Sequence, residues 1–149
     1  EPSRALARVP VRAAGSLAEA LSGRTLIVSA VTAGECLAAA HEAARVVPRG
    51  AWYLDLNSVS PDTKIAAAGV IDAAGARYVE AAVMSPIAPK RIASPMLLGG
   101  PHAAAFGPTA HALGLAGAEI YADAYGRASA AKMCRSVMIK GLEALVIES

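Results

Sequence analysis

Short runs of β-branched and aromatic residues alternate with longer alanine-rich segments along almost the whole chain. Glycine and proline separate the segments, a pattern typical of alternating strands and helices. The predicted strands are 8–13, 25–31, 51–59, 77–84, 94–100 and 118–124. The predicted helices are 16–22, 35–47, 61–74, 102–113 and one from 128 to the end. This order predicts an α/β fold with a mostly parallel sheet, in which the continuous apolar run 25–31 is buried on both faces.

The last predicted helix contains the strongest candidates for chemistry. At about 100° per residue, its apolar residues cover a broad face, and Lys132, Ser136, Lys140 and Glu143 form a polar stripe on the other side. A helix that is apolar on most of its circumference is expected to be buried. The residues alone leave open whether Lys132 and Lys140 pair with a carboxylate, cap a carbonyl group or take part in a reaction.

A second candidate site is the segment DLNSVSP, where a predicted strand meets the next helix. Ligands of open parallel sheets bind beyond the carboxyl ends of the strands, and Asn57 and Ser58 place small hydrogen-bonding groups there. The alternative is that Asn57 turns the chain while Ser60 caps the helix. Asp55 is expected to brace this turn, and Ser85, at the next strand end, is a weaker candidate for the same kind of site.

Composition and charge exclude several other classes of function. The 149 residues suffice for one domain, and a net charge of +2 with one Trp and one Phe argues against nucleic-acid binding. Residues 92–118 contain no charged side chain, but three prolines interrupt them, so we predict no membrane span. Cys36 and Cys134 lie far apart and match no metal-binding spacing, so we predict no metal site and a reducing, cytoplasmic location.

The chain resembles the β-hydroxyacid dehydrogenases, the group that includes 6-phosphogluconate dehydrogenase. Four motifs carry the resemblance in the expected order: DLNSVSP, GARYVEAAVMSP, a strand that ends in Gly-Gly, and GRASAAKMCRS. The last helix is similar to that of a 6-phosphogluconate dehydrogenase-like branch of NAD-binding proteins. The likeness extends from about Ser16 onward.

The resemblance implies a partial Rossmann-type sheet that leads into a long C-terminal helix. Residues 1–126 would form the NAD(P)-binding part, and residues 127–149 would begin the helix of a helical domain. A dinucleotide-binding Rossmann fold opens with a GxGxxG turn, and the chain contains no such motif. The phosphate-binding turn is therefore expected before residue 1 and the helical domain after residue 149, so that the 149 residues alone would be inactive.

The resemblance also implies a reaction, the NAD- or NADP-dependent oxidation of a small hydroxyacid. The catalytic lysine of the family lies in a GxGxxxKxxxN pattern, which Gly126 and Lys132 match, so Lys132 is the expected general acid/base. Ala128 replaces the second glycine and Ser136 the asparagine, and Ser136 is expected to bind substrate. Because a lysine acts as a base only when its pKa is lowered, Lys140 or Arg135 is expected to be the neighbouring cation.

Further ligand contacts are implied around this lysine. Asn57 and Ser58 correspond to a nicotinamide contact of the family, and Val31 with Thr32 corresponds to a second one. The Ser-Gly-Gly substrate loop of the family falls on MSP and does not match, so Ser85 is expected to contact substrate one position later. Lys140 is expected to bind substrate as well.

Two other functions remain open at this point. Imine reductases are relatives with a similar architecture. They usually lack the catalytic lysine, as the resemblance implies, so Lys132 argues against this function. A non-catalytic dimerisation or binding fragment would fit the missing phosphate-binding turn. In either case the apolar surface of the last helix predicts a homodimer.

Overall fold

The structure is a computed structural model that describes residues 11–148. Its five strands form one sheet: β1 (Leu26–Ser29), β2 (Trp52–Asp55), β3 (Arg77–Val83), β4 (Met96–Gly99) and β5 (Ala118–Ala122). The helices along these residues are α1 (Leu17–Leu21), α2 (Cys36–Ala44), α3 (Pro61–Ala73), α4 (Ile87–Lys90), α5 (Ala103–Ala112) and α6 (Arg127–Ile147). Residues 11–13 of the predicted strand 8–13 form no strand, and the rest of it lies outside the described residues.

The sheet follows the order β1-β2-β3-β4-β5, and the predicted mostly parallel α/β architecture is confirmed. Strands β1, β2 and β3 are parallel, β4 runs antiparallel to β3, and β5 is parallel to β4. A parallel crossover usually carries a full helix, whereas the β3–β4 connection contains only the single turn of α4 and a 3₁₀ turn. The carboxyl ends of β1, β2 and β3 therefore share one edge of the sheet with the amino ends of β4 and β5.

Helices cover both faces of the sheet. On one face, α2 and α3 pack on β2 and β3 around Tyr53 and Tyr78, whose rings stack with centroids 5.9 Å apart. On the other face, α5 packs on the sheet, and Phe106 contacts Trp52 with ring centroids 5.2 Å apart. Helix α3 begins as predicted, because the Ser60 hydroxyl accepts a hydrogen bond from the Thr63 amide at 3.2 Å.

The prediction that the run 25–31 is buried on both faces was wrong. Strand β1 pairs only with β2 and forms an edge of the described sheet, and 50% of Val28 is exposed. A continuous apolar run is typical of a strand covered on both faces, whereas within residues 11–148 the edge strand β1 leaves the face of Val28 open.

Helix α6 starts inside the fold and ends outside it. Gly126 precedes it in the left-handed region, with φ of 81°, and only Ala128 and Ser129 in the helix are buried. From Met133 onward every side chain except the half-buried Ser136 is exposed, including Val137 (72%) and Leu145 (69%). The expectation of a buried last helix was therefore wrong, because only its first turns pack against the sheet and α3.

Across residues 11–148, the helices are all too short or too polar to traverse a lipid bilayer.

Candidate active site

A cavity of about 530 Å³ opens where the carboxyl end of β2 meets α6. Its walls come from the turn before α2, the turn between β2 and α3, the end of β3 and the first turns of α6. The lining residues are Ala33, Gly34, Asn57, Ser58, Val59, Ser60, Thr63, Lys64, Ala82, Ser129, Lys132, Met133 and Ser136. This is the edge at which open α/β sheets bind ligands, and the volume lies within the usual range for small-molecule sites.

Lys132 and Ser58 meet across this cavity. The Nζ of Lys132 donates a hydrogen bond of 2.7 Å to the Oγ of Ser58, although the two residues are 74 positions apart. The sequence left open that Lys132 pairs with a carboxylate or caps a carbonyl group. Among the described residues it forms no ion pair with a carboxylate, and its hydrogen bond goes to a hydroxyl and not to a carbonyl group. Its side chain is half-buried and lines the cavity.

The surroundings of Lys132 lower its pKa below the ordinary value. Burial is the larger cause, because it penalises the charged form, and the positive charge of Lys64 is the second. The sequence had pointed to Arg135 or Lys140 as the neighbouring cation, and neither contributes. The Arg135 guanidinium donates instead to the backbone carbonyl of Met84 at 2.5 Å, and Lys140 lies two helical turns further along α6.

Lys64 belongs to a polar cluster beneath the cavity. Its Nζ lies 3.0 Å from Asp55 Oδ1 and also donates to the Asp55 backbone carbonyl at 3.0 Å. The second carboxylate oxygen of Asp55 accepts from the Tyr78 hydroxyl at 2.5 Å and from the Cys36 thiol at 3.5 Å. Burial and the Asp55 charge raise the pKa values of both Tyr78 and Cys36, so both act as neutral donors.

Asn57 lines the cavity, but its carboxamide is committed to the protein. Its Oδ1 accepts from the Val31 amide at 2.6 Å, and its Nδ2 donates to Ser29 Oγ at 2.9 Å and to Cys36 Sγ at 3.5 Å. The backbone amide of Asn57 donates to Asp55 Oδ1 at 2.8 Å, so Asp55 braces the turn as expected. The side-chain carboxamide of Asn57 therefore holds the turn after β1 and is not free to bind a ligand.

Val31 and Thr32 were expected to contact the nicotinamide, but they lie outside the cavity wall. Both are exposed, and the following residues, Ala33 and Gly34, line the cavity instead. A Cβ atom at Gly34 would meet nothing within 4 Å. The small residues thus leave open space for a flat group at this position.

A second cavity of about 500 Å³ continues the first along α6. Lys132 and Ser136 line both cavities, and Ser85 and Lys140 line the second with Arg135 and Glu143. The Ser85 hydroxyl donates to the Pro86 carbonyl at 3.3 Å, and Lys140 is exposed. The structure therefore brings together Lys132, Ser58, Ser136, Ser85 and Lys140 along one groove.

Sequence reasoning missed two buried charges on which this site depends. Lys64 lies on the same face of α3 as the buried Ala67, Ala68 and Ile71, so helical spacing alone could have marked it as buried. Glu80 lies within β3 and is 0% exposed, and its carboxylate accepts from the amides of Gly126 at 2.7 Å and Ser129 at 2.6 Å. No local pattern connects Glu80 to the start of α6.

The proteins of known structure that are similar to this chain include two that are more than 30% identical to it. A conserved hypothetical protein from Sinorhizobium meliloti 1021 is 39% identical with a TM-score of 0.80, and the match covers 89% of this chain and 44% of that one. A conserved protein described as structurally similar to 3-hydroxyacid dehydrogenases is 35% identical with a TM-score of 0.69, covering 81% of this chain and 45% of that one. No protein-family profile and no curated protein matches the chain.

The fold is also that of imine reductases. The enzyme from Myxococcus stipitatus in complex with NAD⁺ is 21% identical with a TM-score of 0.83, covering 99% of this chain and 53% of that one. The resemblance drawn from the sequence is confirmed. The chain spans about half the length of the solved structures that it matches.

Proposed function

We propose that the chain forms the nicotinamide- and substrate-facing part of an NAD(P)-dependent oxidoreductase that acts on a small hydroxyacid. The observation that carries the proposal is the position of Lys132. Its amine lies in a cavity at the carboxyl end of the sheet, is bonded to the Ser58 hydroxyl at 2.7 Å and has no carboxylate partner among the described residues. The 6-phosphogluconate dehydrogenase-like motifs assign the same residue.

Lys132 would act as the general acid/base. In the oxidation direction, its neutral amine accepts the proton of the substrate hydroxyl, and in reduction its ammonium group returns that proton. The lowered pKa of Lys132 increases the fraction of the neutral form at a given pH. The Ser58 hydroxyl holds the amine at the strand end until substrate replaces it as the hydrogen-bond partner.

The groove along α6 supplies groups that could orient an acid substrate. Ser136 and Ser85 offer hydroxyl groups, and Lys140 offers a positive charge for a carboxylate in the second cavity. Ser136 replaces the asparagine of the family pattern and provides one hydrogen-bonding group where an amide has two. The substrate is therefore held by fewer direct bonds than in that pattern.

The first cavity fits the nicotinamide end of NAD or NADP. Small and apolar residues, among them Ala33, Gly34 and Val59, leave room for a flat ring, and Ser58 can bond its carboxamide. When bound, the nicotinamide ring supplies or accepts the hydride. Asn57, through its bond to the Val31 amide, keeps the adjoining turn in place.

We further propose that this chain is one part of a longer cytoplasmic enzyme and is inactive alone. Residues 1–126 would contribute the second part of the NAD(P)-binding sheet, and residues 127–149 would lead into a helical domain. The half-length match to solved structures and the two free cysteines, Cys36 and Cys134, support this arrangement.

Imine reduction is the second candidate, and the overall similarity to imine reductases favours it. The full-length protein should be assayed with NAD⁺ and NADP⁺ against a panel of hydroxyacids, and with NADPH and NADH against cyclic imines. Turnover of a hydroxyacid supports the dehydrogenase, and turnover of imines alone supports the reductase. No turnover together with no cofactor binding by calorimetry would support a non-catalytic binding fragment.

The role of Lys132 has its own test. Lys132→Met in the full-length protein should reduce turnover of the hydroxyacid by about 10²–10⁴-fold, the usual contribution of a general acid/base, with cofactor affinity nearly unchanged. Lys90→Met removes an exposed lysine that lines neither main cavity and serves as the control. Retention of most activity in Lys132→Met would remove this residue from the mechanism.

A further inference from the structure

Lys64 is a charged residue in an unusual place. Its side chain is 1% exposed on the inner face of α3, yet it lines the same cavity as Lys132. Both of its hydrogen bonds go to Asp55, one to the carboxylate and one to the backbone carbonyl. Lys64 is therefore fixed in position and cannot extend to solvent as most lysines do.

Asp55 is the ion-pair partner of this ammonium group. Its carboxylate is 1% exposed and receives hydrogen bonds from Lys64, Tyr78, Cys36 and the Asn57 amide. A buried ion pair contributes little net stability in general, because an apolar pair of similar size is often equally stable. Folding alone thus gives little reason to keep a lysine at position 64.

The same segment that fixes Lys64 also fixes Lys132. Asp55 binds the first lysine and Ser58, three residues further on, binds the second. Helices α3 and α6 pack against each other, so the two ammonium groups approach one cavity from different elements. Two like charges in a partly dry site disfavour each other.

We propose that Lys64 is a positioning residue whose buried charge acts across the cavity on Lys132 and favours the neutral, proton-accepting form of that amine. The effect of Lys64 on the Lys132 amine follows from the place of both residues on one cavity, and its use in catalysis rests on the proposed function. It assigns to Lys64 a role that no sequence motif indicates.

The other charged groups around Lys132 have different partners. Asp55 is bonded to Lys64 and its neighbours, and the Glu80 carboxylate is bonded to the Gly126 and Ser129 amides. On α6 itself, Arg135 is bonded to the Met84 carbonyl, and Lys140 and Glu143 are exposed further along the helix. Burial and the Lys64 charge together lower the pKa of Lys132.

The test measures the reactivity of the Lys132 amine in the chain itself. Only neutral amines react with acetic anhydride, so acetylation followed by peptide mass spectrometry across a pH series reports the neutral fraction at each lysine. In Lys64→Met, acetylation of Lys132 near pH 8 should become roughly threefold to tenfold slower, as the loss of a nearby like charge requires. Lys64→Arg keeps the charge and should restore the rate, and Lys90→Met should leave it unchanged.

A second variant keeps the test decisive if Lys64→Met does not fold. Lys64→Gln removes the charge but keeps a hydrogen-bond donor for Asp55, and it should also slow acetylation of Lys132. An unchanged rate in Lys64→Met and in Lys64→Gln would overturn the proposal. An equal slowing in Lys64→Arg would overturn it too, because packing and not charge would then be responsible.

The outcome is independent of the assigned reaction. If Lys64→Met slows acetylation but the full-length protein turns over no hydroxyacid, the proposed function fails and the electrostatic coupling stands. If hydroxyacid turnover requires Lys132 but acetylation does not respond to Lys64, the coupling fails and the proposed function stands.

Discussion

The carboxylate of Asp55 is 1% exposed and holds the buried amine of Lys64 at 3.0 Å. It also orders the turn that carries Ser58, through its bond to the Asn57 amide. One side chain therefore links a buried ion pair to the wall of the candidate active site. Its removal affects folding and the site together.

We expect Asp55→Ala to lower the free energy of unfolding by about 3–5 kcal/mol, because it leaves the Lys64 ammonium buried without a counter-charge. Urea denaturation followed by circular dichroism measures the change. Asp123→Ala, at an exposed carboxylate, is the control. The double variant Asp55→Asn/Lys64→Met should recover most of the loss, and a double variant as unstable as Asp55→Ala would contradict this account.

The lowered pKa of Lys132 predicts the pH dependence of the oxidation reaction. The base must be neutral, so turnover rises with pH through the pKa of Lys132 and levels off above it. Because burial and Lys64 lower that pKa, the rise should occur at lower pH than for an ordinary lysine, whose value is 10.5. A pH profile of kcat in the full-length protein checks this, and a rise only near the ordinary value would contradict it.

At the level of elements, α6 depends on an acceptor from the sheet. Glu80 of β3 caps its first turn through the amides of Gly126 and Ser129, where a negative charge also interacts favourably with the helix dipole. The cap fixes the start of α6 and hence the place of Lys132, which lies in the second turn of the helix. The rest of the helix makes few contacts with the described fold.

Glu80→Ala should therefore cost about 2–4 kcal/mol of unfolding free energy, because it leaves two buried amides without an acceptor. Glu80→Gln keeps one carboxamide oxygen and should cost less. Glu119→Ala, at an exposed position on β5, serves as the control in the same denaturation experiment. If Glu80→Ala is as stable as that control, the cap does not hold the helix.

At the level of the whole molecule, α6 presents an uncovered apolar surface. Met138, Leu142 and Leu145 are each more than 60% exposed. Burial of such side chains is worth roughly 1.5–3 kcal/mol each, and a patch of this kind favours association. A second copy is the simplest partner, since twofold dimers are the most common assembly.

Light scattering at micromolar concentration should therefore give twice the 15.0 kDa mass of one chain. Leu142→Glu/Leu145→Glu places charge on the patch and should give the single-chain mass. Ala66→Glu, on the exposed face of α3, is the control and should leave the dimer intact. A wild-type chain that stays at 15.0 kDa would rule out this interface.

The sequence by itself determined the order of elements and the main candidate residues. Apolar runs, glycines and prolines act locally, so they placed β1 to β5 and the helices α1, α2, α3, α5 and α6 to within a few residues and predicted the Ser60 cap of α3. They did not predict α4, and residues 11–13 of the predicted strand 8–13 form no strand. The motifs also selected Lys132 and Ser58, which the structure brings to one cavity. Strand ends in a parallel sheet converge, and this gave the region of the site before its geometry was known.

Only the tertiary structure decided which groups meet. The direction of β4, the edge position of β1 and the exposure of α6 depend on neighbours that a local pattern does not specify. The cation that lowers the pKa of Lys132 is Lys64, which lies on another helix. The side-chain carboxamide of Asn57 is bonded within the protein, where its oxygen accepts from the Val31 amide. These contacts join residues that are far apart in the chain. Burial and charge depend on distance in space, so the spacing of residues along the sequence does not determine these contacts.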